Sequence, residues 1–256
     1  MKRIALITGA SSGLGREFAR LLAREEVDEL WLVARRGERL RELSAELAVP
    51  CCIFVLDLTQ EAALEELSAA LAAEPVVVRY LVNAAGFGRI GMAADIGAAT
   101  TGRMIALNCR AAAELTERAL PYMERGSRVL EIASCAAFQP IPYINVYGAT
   151  KAFVLSFSRA LNRELRPCGV AVMAVCPFWT KTAFFDRAVV SEEKPVVKKY
   201  VAMYDPEDIV TRAWRDAKRG KDVSKYGFIA RVQAGLAKIL PHSLVMSVWM
   251  AQQDLD

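Results

Sequence analysis

Short apolar runs rich in isoleucine, leucine and valine recur along the chain and are separated by longer mixed segments. The runs are RIALI at 3–7, LWLVA at 30–34, CCIFVL at 51–56, VVVRYLV at 76–82, RVLEIA at 128–133 and VAVMAVC at 170–176. Continuous apolar runs of this length are typical of strands that are buried on both faces of a parallel sheet. We therefore interpret each run as a buried strand.

The segments between the runs have helical spacing. In QEAALEELSAALAA, which begins at Gln60, Ala63, Leu64, Leu67 and Leu71 fall on one face of a helix. The alternation predicts the α/β class, a single-domain Rossmann-type doubly wound parallel sheet with helices on both faces. No repeat or linker divides residues 1–256, so one domain is expected, with a charged and aromatic excursion at about 183–204.

The composition limits where the protein is expected to act. Hydrophobic residues make up 54% of the chain, but charged side chains interrupt every apolar stretch before it reaches the roughly 18 residues of a membrane span. The first apolar run is too short for the core of a secretory signal. The sequence therefore predicts no integral membrane segment and a cytoplasmic location.

The charge distribution and the cysteines argue against two further classes. The 33 basic and 29 acidic residues give a net charge of +4 without a long basic block, so nucleic acid is not predicted as a partner. The six cysteines show no C-x-x-C spacing, and His242 is the only histidine. No metal site is predicted, and the cysteines are interpreted as reduced thiols.

The first run leads directly into TGASSGLG at residues 8–15, which predicts a strand, a tight turn and a helix. Glycine permits the turn and lets the backbone approach an anion, while N–H groups at the helix start face that anion. The stretch therefore predicts a site for the pyrophosphate of a dinucleotide. A Walker phosphate loop would require G-K-[ST] at its end, whereas Arg16 and Glu17 follow Gly15.

Four further stretches follow the glycine turn. They are NAAG at 83–86, Asn108 within a predicted helix, Ser134 just after a predicted strand, and YGATK at 147–151. Together with TGASSGLG they resemble the short-chain dehydrogenase/reductase family from Lys2 to about Thr182, and Tyr-x-x-x-Lys with an upstream serine is the most specific element. The resemblance implies an oxidoreductase that transfers a hydride between nicotinamide and a carbonyl or secondary alcohol.

Tyr147 and Lys151 are four residues apart, so both side chains would lie on one face of a helix and point into one pocket. A free tyrosine has a pKa near ~10, which is too high for ready proton exchange at neutral pH. The Lys151 ammonium and the positive ring of an oxidised nicotinamide would favour the phenolate, and a pKa shift of about 3 corresponds to roughly 4 kcal/mol. Tyr147 is therefore predicted to be the acid/base group.

The resemblance implies roles for the other motif residues. Ser134 would hydrogen-bond the substrate oxygen, Lys151 would also hold the nicotinamide ribose, and Asn108 would support a water in the proton relay. The residues expected to contact the cofactor are Gly9, Ser11, Ser12, Gly13, Leu14, Gly15, Asp57, Leu58, Asn83, Ala84, Gly86, Tyr147, Lys151, Pro177, Thr180 and Thr182. The chain departs from the family pattern at Ala84, where a second asparagine is common, and at Phe178, where glycine usually follows the proline.

Arg35 and Arg36 follow the second predicted strand, where an acidic side chain would bond the adenosine ribose of NAD. Arginine here can pair with a 2′-phosphate through two hydrogen bonds, so Arg35, with Arg36, predicts NADP in preference to NAD. The alternative is a solvated basic turn before the helix that contains RGERLRELSAEL.

The substrate pocket is expected to be apolar. The rings that the resemblance places in its segments are Phe138, Tyr143, Phe178, Trp179, Phe184 and Phe185, and Lys181 is the one basic residue considered as an anion clamp. The C-terminal stretch KILPHSLVMSVWMAQQ resembles family members that act on steroid-like or long acyl ketones. We therefore expect a bulky apolar ketone as substrate rather than a small charged keto acid.

Helices near 103–124 and 151–166 carry apolar residues on more than one face. The corresponding helices pair subunits in the family, so a homodimer or homotetramer is expected, and burial of these helices within one subunit is the alternative.

Two other function classes compete with the oxidoreductase. A dinucleotide-binding sensor or scaffold would use the fold without chemistry, but it would not need Ser134, Tyr147 and Lys151 together. A methyl donor-binding Rossmann enzyme would usually carry an acidic residue after the second strand, where this chain has Ala34 and Arg35.

Overall fold

The computed structural model describes residues 1–184, 188, 196–197 and 199–255. Within these residues the core is one parallel sheet of seven strands in the order β3-β2-β1-β4-β5-β6-β7. The strands are β1 (Lys2–Thr8), β2 (Glu29–Ala34), β3 (Cys51–Val55), β4 (Val76–Asn83), β5 (Arg128–Ile132), β6 (Ala171–Val175) and β7 (Val223–Ser224). The six predicted runs are confirmed as β1 to β6, with ends that differ by one residue at most. The sequence pattern does not predict β7, because two residues are too few to show a period.

Helices connect the strands. In chain order they are α1 (Gly13–Leu22), α2 (Gly37–Glu46), α3 (Glu61–Ala73), α4 (Ala93–Ile96), α5 (Ala98–Ile105), α6 (Ala112–Ala119), α7 (Asn145–Leu165), α8 (Pro206–Lys218), α9 (Phe228–Leu236) and α10 (His242–Gln252). A π-helix, Ala106–Ala111, joins α5 to α6. Short 3₁₀ turns cover Leu120–Tyr122, Cys135–Phe138 and Arg166–Cys168. No helix in the described part of the chain combines the length and the apolar character that crossing a bilayer requires.

Apolar side chains form a separate core on each face of the sheet. One core contains Phe18 of α1 and Trp214 of α8, and the other contains Leu67 of α3 and Leu115 of α6. Alternate strand residues enter each core because successive side chains of a strand point to opposite faces. Complete burial of each large aliphatic side chain contributes about 1.5–3 kcal/mol, so the two cores hold helices on both sides. The predicted doubly wound arrangement is confirmed.

The strand order reverses between β1 and β4, where ligands bind in open sheets of this kind. Gly9 lies at this point with a left-handed backbone, φ 67°, and a Cβ there would lie 2.7 Å from the carbonyl carbon and oxygen of Ala84. A Cβ on Gly15 would lie 2.5 Å from the carbonyl oxygen of Gly9. A side chain on Gly9 would push the β1–α1 turn away from the chain after β4, and one on Gly15 would disrupt the turn itself, so both glycines are required by close backbone approach.

Half of the predicted excursion at 183–204, including Phe185, lies outside the described residues. The segments that flank it are joined by two backbone hydrogen bonds. The Tyr204 N–H donates to the Trp179 carbonyl, and the Lys181 N–H donates to the Tyr204 carbonyl, both at 2.9 Å. The chain therefore leaves and rejoins the fold at one place, just beyond the carboxyl end of β6.

A buried carboxyl group lies within the sheet. Glu131 of β5 is fully buried, and its Oε1 accepts hydrogen bonds from Asn83 Nδ2 at 2.8 Å and from Thr116 Oγ1 at 2.7 Å. Its Oε2 has no hydrogen-bond partner in the described part of the chain. Burial raises the pKa of this carboxyl to about 7, and the two hydrogen bonds offset only part of that effect.

We predict that Glu131 makes the protein less stable as the pH rises. The carboxyl loses its proton near pH 4.5 in the unfolded chain and near pH 7 in the folded one. Between these values the folded state holds the extra proton, so stabilisation that is present at low pH is lost as the pH rises through about 7. The total loss is about 3 kcal/mol.

Urea unfolding at several pH values tests this prediction with the variant Glu131→Gln. The free energy of unfolding of the variant, relative to the native chain, should increase by about 3 kcal/mol between pH 4 and pH 8. The exposed Glu117 of α6 supplies the control, since Glu117→Gln should give a nearly constant difference. A constant difference for Glu131→Gln would contradict the prediction.

Candidate active site

A cavity of about 1010 Å³ opens at the carboxyl ends of the strands. Its wall is formed by the β1–α1 turn, by the segments that follow β2 to β6, and by α9 and α10. Every predicted site residue lines it except Asn83 and Asn108, which lie behind the wall. The structure therefore brings the predicted cofactor and catalytic residues to one continuous space.

The glycine turn forms the floor of one end of the cavity. Gly13 begins α1 with a left-handed backbone, φ 57°, and a Cβ there would lie 3.3 Å from Cγ2 of Thr182. The first turn of α1 carries no acidic side chain. Any side chain at Gly13 would fill the space in front of the helix, and no acidic group there would repel an anion. The space therefore fits the pyrophosphate of a dinucleotide.

The two arginines after β2 lie at the same end. Arg36 Nη2 donates to Ser11 Oγ at 2.9 Å and to Ser12 Oγ at 2.8 Å, which holds its guanidinium against the glycine turn. Arg35 is more exposed, and its Nη1 lies 3.8 Å from Oδ2 of Asp57. The sequence analysis assigned the 2′-phosphate contact mainly to Arg35. In the structure the Arg36 side chain is the better fixed of the two, because two hydroxyl groups accept hydrogen bonds from it.

Ser134 and Tyr147 meet in the middle of the cavity. Ser134 follows β5, where its Oγ accepts from the Ala136 N–H at 3.1 Å, and Tyr147 lies in the first turn of α7. Burial raises the pKa of Tyr147 to about 12, and a hydrogen bond with Ser134 offsets part of this rise. The Tyr147 hydroxyl therefore keeps its proton at neutral pH.

Lys151 lies one turn further along α7, as the spacing predicts. Its Nζ donates to the Ile132 carbonyl at 2.6 Å and lies 5.7 Å from the centre of the Tyr147 ring. Burial lowers the pKa of Lys151 to about 8. The sequence-based expectation of a phenolate concerned Lys151 together with an oxidised nicotinamide, and it remains a prediction, because burial alone raises the pKa of Tyr147.

Asn108 occupies the π-helix and is almost completely buried. Its Oδ1 accepts from the Phe87 N–H at 3.1 Å, while its Nδ2 donates to the Phe87 carbonyl at 2.8 Å and to Thr150 Oγ1 at 3.1 Å. Gly86 separates it from Lys151, since a Cβ on Gly86 would lie 3.1 Å from Asn108 Oδ1 and 3.5 Å from Lys151 Nζ. Asn108 thus fixes the segment after β4 against α7.

The remaining predicted contacts have local partners. Thr180 Oγ1 donates to the Phe178 carbonyl at 2.9 Å, and Asp57 Oδ1 accepts from Thr59. Asn83 was expected to contact the cofactor, but it lies behind the cavity wall, where it bridges β4 to α6 and β5 through Thr116 and Glu131.

Gly88 is a site residue that the sequence reasoning missed. A Cβ there would lie 2.8 Å from Cδ2 of Tyr147 and 2.7 Å from Cζ of Phe184, whose rings lie 5.5 Å apart. Only glycine leaves room for these two rings. A glycine two residues after Gly86 was the available signal, but single glycines in loops are too common to interpret.

The apolar end of the cavity differs from the expectation in several residues. Phe178, Trp179 and Phe184 line it as expected. Phe138 instead packs beneath Lys225, whose Nζ lies 5.5 Å from the ring centre, so its ring is turned away from the cavity. Tyr143 lies in a left-handed turn with φ 64° ahead of α7, also away from the cavity.

Other side chains complete this apolar end. Lys181 pairs with Asp205 at 3.1 Å instead of entering the cavity, whereas Arg89, which the sequence reasoning missed, does line it. The C-terminal helices supply most of the apolar wall, with Phe228, Ile229, Val232, Leu236, Leu244, Val245, Val248 and Trp249. Sequence reasoning connected the second of these helices to the substrate only by resemblance.

Comparisons with known proteins agree with this geometry. A family model described as short chain dehydrogenase matches residues 3–193. Sulfoacetaldehyde reductase 2 of Chromohalobacter salexigens is 37% identical over 193 residues, which cover 72% of this chain and 75% of that protein.

Two solved structures are similar along nearly the whole chain. A short-chain dehydrogenase from Sphingobium yanoikuyae in complex with NADPH is 30% identical, with a TM-score of 0.77 and coverage of 95% of this chain and 98% of that one. The bulky-bulky ketone specific alcohol dehydrogenase from Comamonas testosteroni is 27% identical, with a TM-score of 0.72 and coverage of 95% and 96%.

Proposed function

Because the chain belongs to the short-chain dehydrogenase family, we propose that it is an NADP(H)-dependent oxidoreductase that reduces bulky apolar ketones, steroid-like or long-chain, to secondary alcohols. One observation carries the proposal. The cavity that holds Ser134, Tyr147 and Lys151 has the glycine cradle at one end and the apolar wall of α9 and α10 at the other. A carbonyl group at Tyr147 would therefore lie between a dinucleotide and an apolar substrate body.

Ser134 and Tyr147 bind the carbonyl oxygen of the substrate, because their hydroxyl groups share a hydrogen bond and line the same wall. When bound, the reduced nicotinamide supplies the hydride. As the oxygen becomes negative, Tyr147 donates its proton to it, for which a pKa near 12 keeps the hydroxyl ready at neutral pH. The alcohol then leaves a tyrosinate behind.

Lys151 stabilises that tyrosinate. With a pKa of about 8 it keeps its positive charge at neutral pH, and the Ile132 carbonyl orients it. Because the Lys151 ammonium is already buried and held in place, little free energy is spent on reorienting it when the tyrosinate forms. Lys151 is also the residue that we expect to hold the nicotinamide ribose, whereas Asn108 positions its surroundings through Phe87 and Thr150.

We predict that Tyr147→Phe lowers kcat by at least about 10³-fold while NADPH still binds, because the variant lacks only the acid. Lys151→Ala should weaken both turnover and NADPH binding. Tyr143→Phe, one turn earlier and outside the cavity, is the matched control and should retain the native rate. Stopped-flow turnover and fluorescence titration separate the two effects. A near-native rate for Tyr147→Phe would instead support a non-catalytic sensor or scaffold.

The choice of NADP rests on Arg35 and Arg36. Both line the cavity beside the glycine turn, and Arg36 is held there by two serine hydroxyls. The exposed ion pair between Arg35 and Asp57 is worth little, so Arg35 can exchange it for a 2′-phosphate at small cost. Two guanidinium groups at this end of the cavity favour the doubly charged phosphate of NADP over the bare ribose of NAD.

We predict that NADPH binds at least tenfold more tightly than NADH, a difference of about 1.4 kcal/mol. Arg35→Asp should remove or reverse the preference, because a carboxylate would then repel the phosphate. Arg39→Asp changes the charge equally on the exposed side of α2 and should leave the preference intact. Equal affinity of the native protein for the two cofactors in a titration would contradict the assignment.

The substrate class rests on the apolar end of the cavity. Aromatic rings and the aliphatic side chains of α9 and α10 surround this end. Burying about 200 Å² of a ring system there could contribute up to roughly 5 kcal/mol at ~25 cal/mol/Å². Arg89 is the specific observation that favours a second candidate, a small anionic aldehyde, since it also lines the cavity. The name of the relative from Chromohalobacter salexigens describes such a substrate.

We predict that NADPH oxidation is fastest with bulky apolar ketones in a screen that also contains small sugars, keto acids and sulfoacetaldehyde. Their kcat/KM should exceed that of the small anionic compounds by at least about 100-fold, given the apolar area available. Leu236→Gln should reduce this advantage, whereas Arg89→Gln should leave it unchanged. A preference for sulfoacetaldehyde that Arg89→Gln abolishes would establish the second candidate instead.

We further propose that the protein forms a homodimer or homotetramer in the cytoplasm. The expected subunit contacts involve α5, α6 and α7, where Ile105 and Phe153 expose apolar side chains. Phe153 stacks on Phe157 with ring centres 6.0 Å apart, which gives this part of α7 a flat apolar surface suited to a self-complementary contact.

A further inference from the structure

The last helix, α10, has an unusual composition for a surface helix. From Ile239 to Gln253 the chain contains no aspartate, glutamate, lysine or arginine, and no residue of α10 is buried. Surface helices ordinarily carry charged residues on the face that meets water, whereas helices that are apolar all round are covered by other apolar matter. Leu244 and Val248 of α10 line the cavity and yet remain exposed at its rim, and this exposure requires an explanation.

α9, α10 and the turn between them carry exposed apolar side chains around the cavity opening. On α9, Ala230 and Ala234 point inward and are fully buried. The exposed large side chains are Phe228, Val232, Leu236, Ile239, Leu244 and Val248, of which Phe228 is 73%, Ile239 80% and Val248 60% exposed. We refer to these six residues as the docking face. Large contiguous apolar surfaces on proteins usually belong to interaction sites and are seldom left facing water.

Basic side chains flank the docking face. Arg231 lies on α9, and Lys238 lies two residues beyond its end, next to Ile239. Both are exposed, and neither is in an ion pair with any described residue. Between Lys218 and Gln253 the chain carries six basic residues and a single acidic one, Asp222. An apolar stripe with basic residues along its edge is the pattern of helices that lie in the surface of an anionic membrane.

Charge and position together favour a membrane over a second copy of the chain. A symmetric pair joined through this face would bring the basic residues of both copies around one apolar patch, where like charges repel. Anionic lipid headgroups would neutralise the same residues, each contributing about fivefold in affinity. Five docking-face residues, Phe228, Val232, Leu236, Leu244 and Val248, also line the cavity, so the face surrounds its opening.

We propose that the docking face of α9 and α10 binds the surface of an anionic bilayer peripherally, with the cavity opening toward the lipid. This inference goes beyond the proposed function, because it assigns a membrane partner to the exposed rim of the cavity, to which the reaction itself assigns none. Binding to lipid requires no turnover, so its test is independent of the reaction. An apolar substrate dissolved in lipid could then enter the cavity without crossing water.

Vesicle co-sedimentation of the full chain tests the proposal. The native protein should pellet with vesicles of phosphatidylcholine containing about 30% phosphatidylglycerol and be released as the salt concentration rises. Ile239→Gln/Val248→Gln should lower the bound fraction by at least about tenfold through lost apolar contact. Arg231→Glu/Lys238→Glu should lower binding to the anionic vesicles by at least about 20-fold.

Two controls separate the docking face from general effects. Arg24→Glu/Arg163→Glu makes the same charge change at exposed positions elsewhere and should change binding by no more than about twofold. All the replaced side chains are exposed, and thermal unfolding should confirm that each variant is folded. Failure of the native protein to pellet with anionic vesicles, or equal loss of binding in the control, would overturn the proposal. So would light scattering that shows a native dimer and a monomeric Ile239→Gln/Val248→Gln, since the face would then belong to a second copy.

Discussion

Gly9 and Ala84 stand where β1 and β4 diverge, and the backbones there are so close that a Cβ on Gly9 would lie 2.7 Å from the Ala84 carbonyl carbon. Both halves of the site depend on this contact. The chain that passes Gly9 turns into the anion cradle, and the chain that passes Ala84 continues to Gly86, beside Asn108 and Lys151. A displacement of one strand end would therefore move the cofactor end and the catalytic end relative to each other, and proton transfer tolerates little misplacement.

Two buried polar clusters hold the wall behind the cavity. Asn83 and Glu131 join β4, β5 and α6, while Asn108 and Thr150 join the segment after β4 to α7. Such groups add little net stability, but each is costly to leave without a partner, so they specify one arrangement of the backbone. This arrangement has an energetic cost, because Oε2 of Glu131 has no hydrogen-bond partner among the described residues. The raised pKa of the buried carboxyl reflects that cost.

The sequence predicted the strands well because each is a continuous apolar run, and it predicted the positions of Tyr147 and Lys151 because helical spacing alone places them on one face. It did not reveal the π-helix at Asn108, since that conformation has no pattern of its own. It also missed Gly88 and Arg89, whose importance depends on rings and walls from distant parts of the chain. The raised pKa of Tyr147 in the protein alone could not be predicted from the sequence, because burial is a property of the fold and not of the neighbouring residues in sequence.

The pairing of Trp179 with Tyr204 has a consequence for how this protein can change over evolutionary time. Because Thr180 bridges to Tyr204, the ends of the intervening stretch are clamped together at the rim of the sheet. Because the two ends of this stretch are held together, insertions, deletions or substitutions between them leave the distance between the ends unchanged. Closing a longer stretch costs only about 0.6 kcal/mol per doubling of its length. Selection can therefore alter the length of this stretch repeatedly, provided that Thr182 near its start keeps its place beside Gly13 at the nucleotide end.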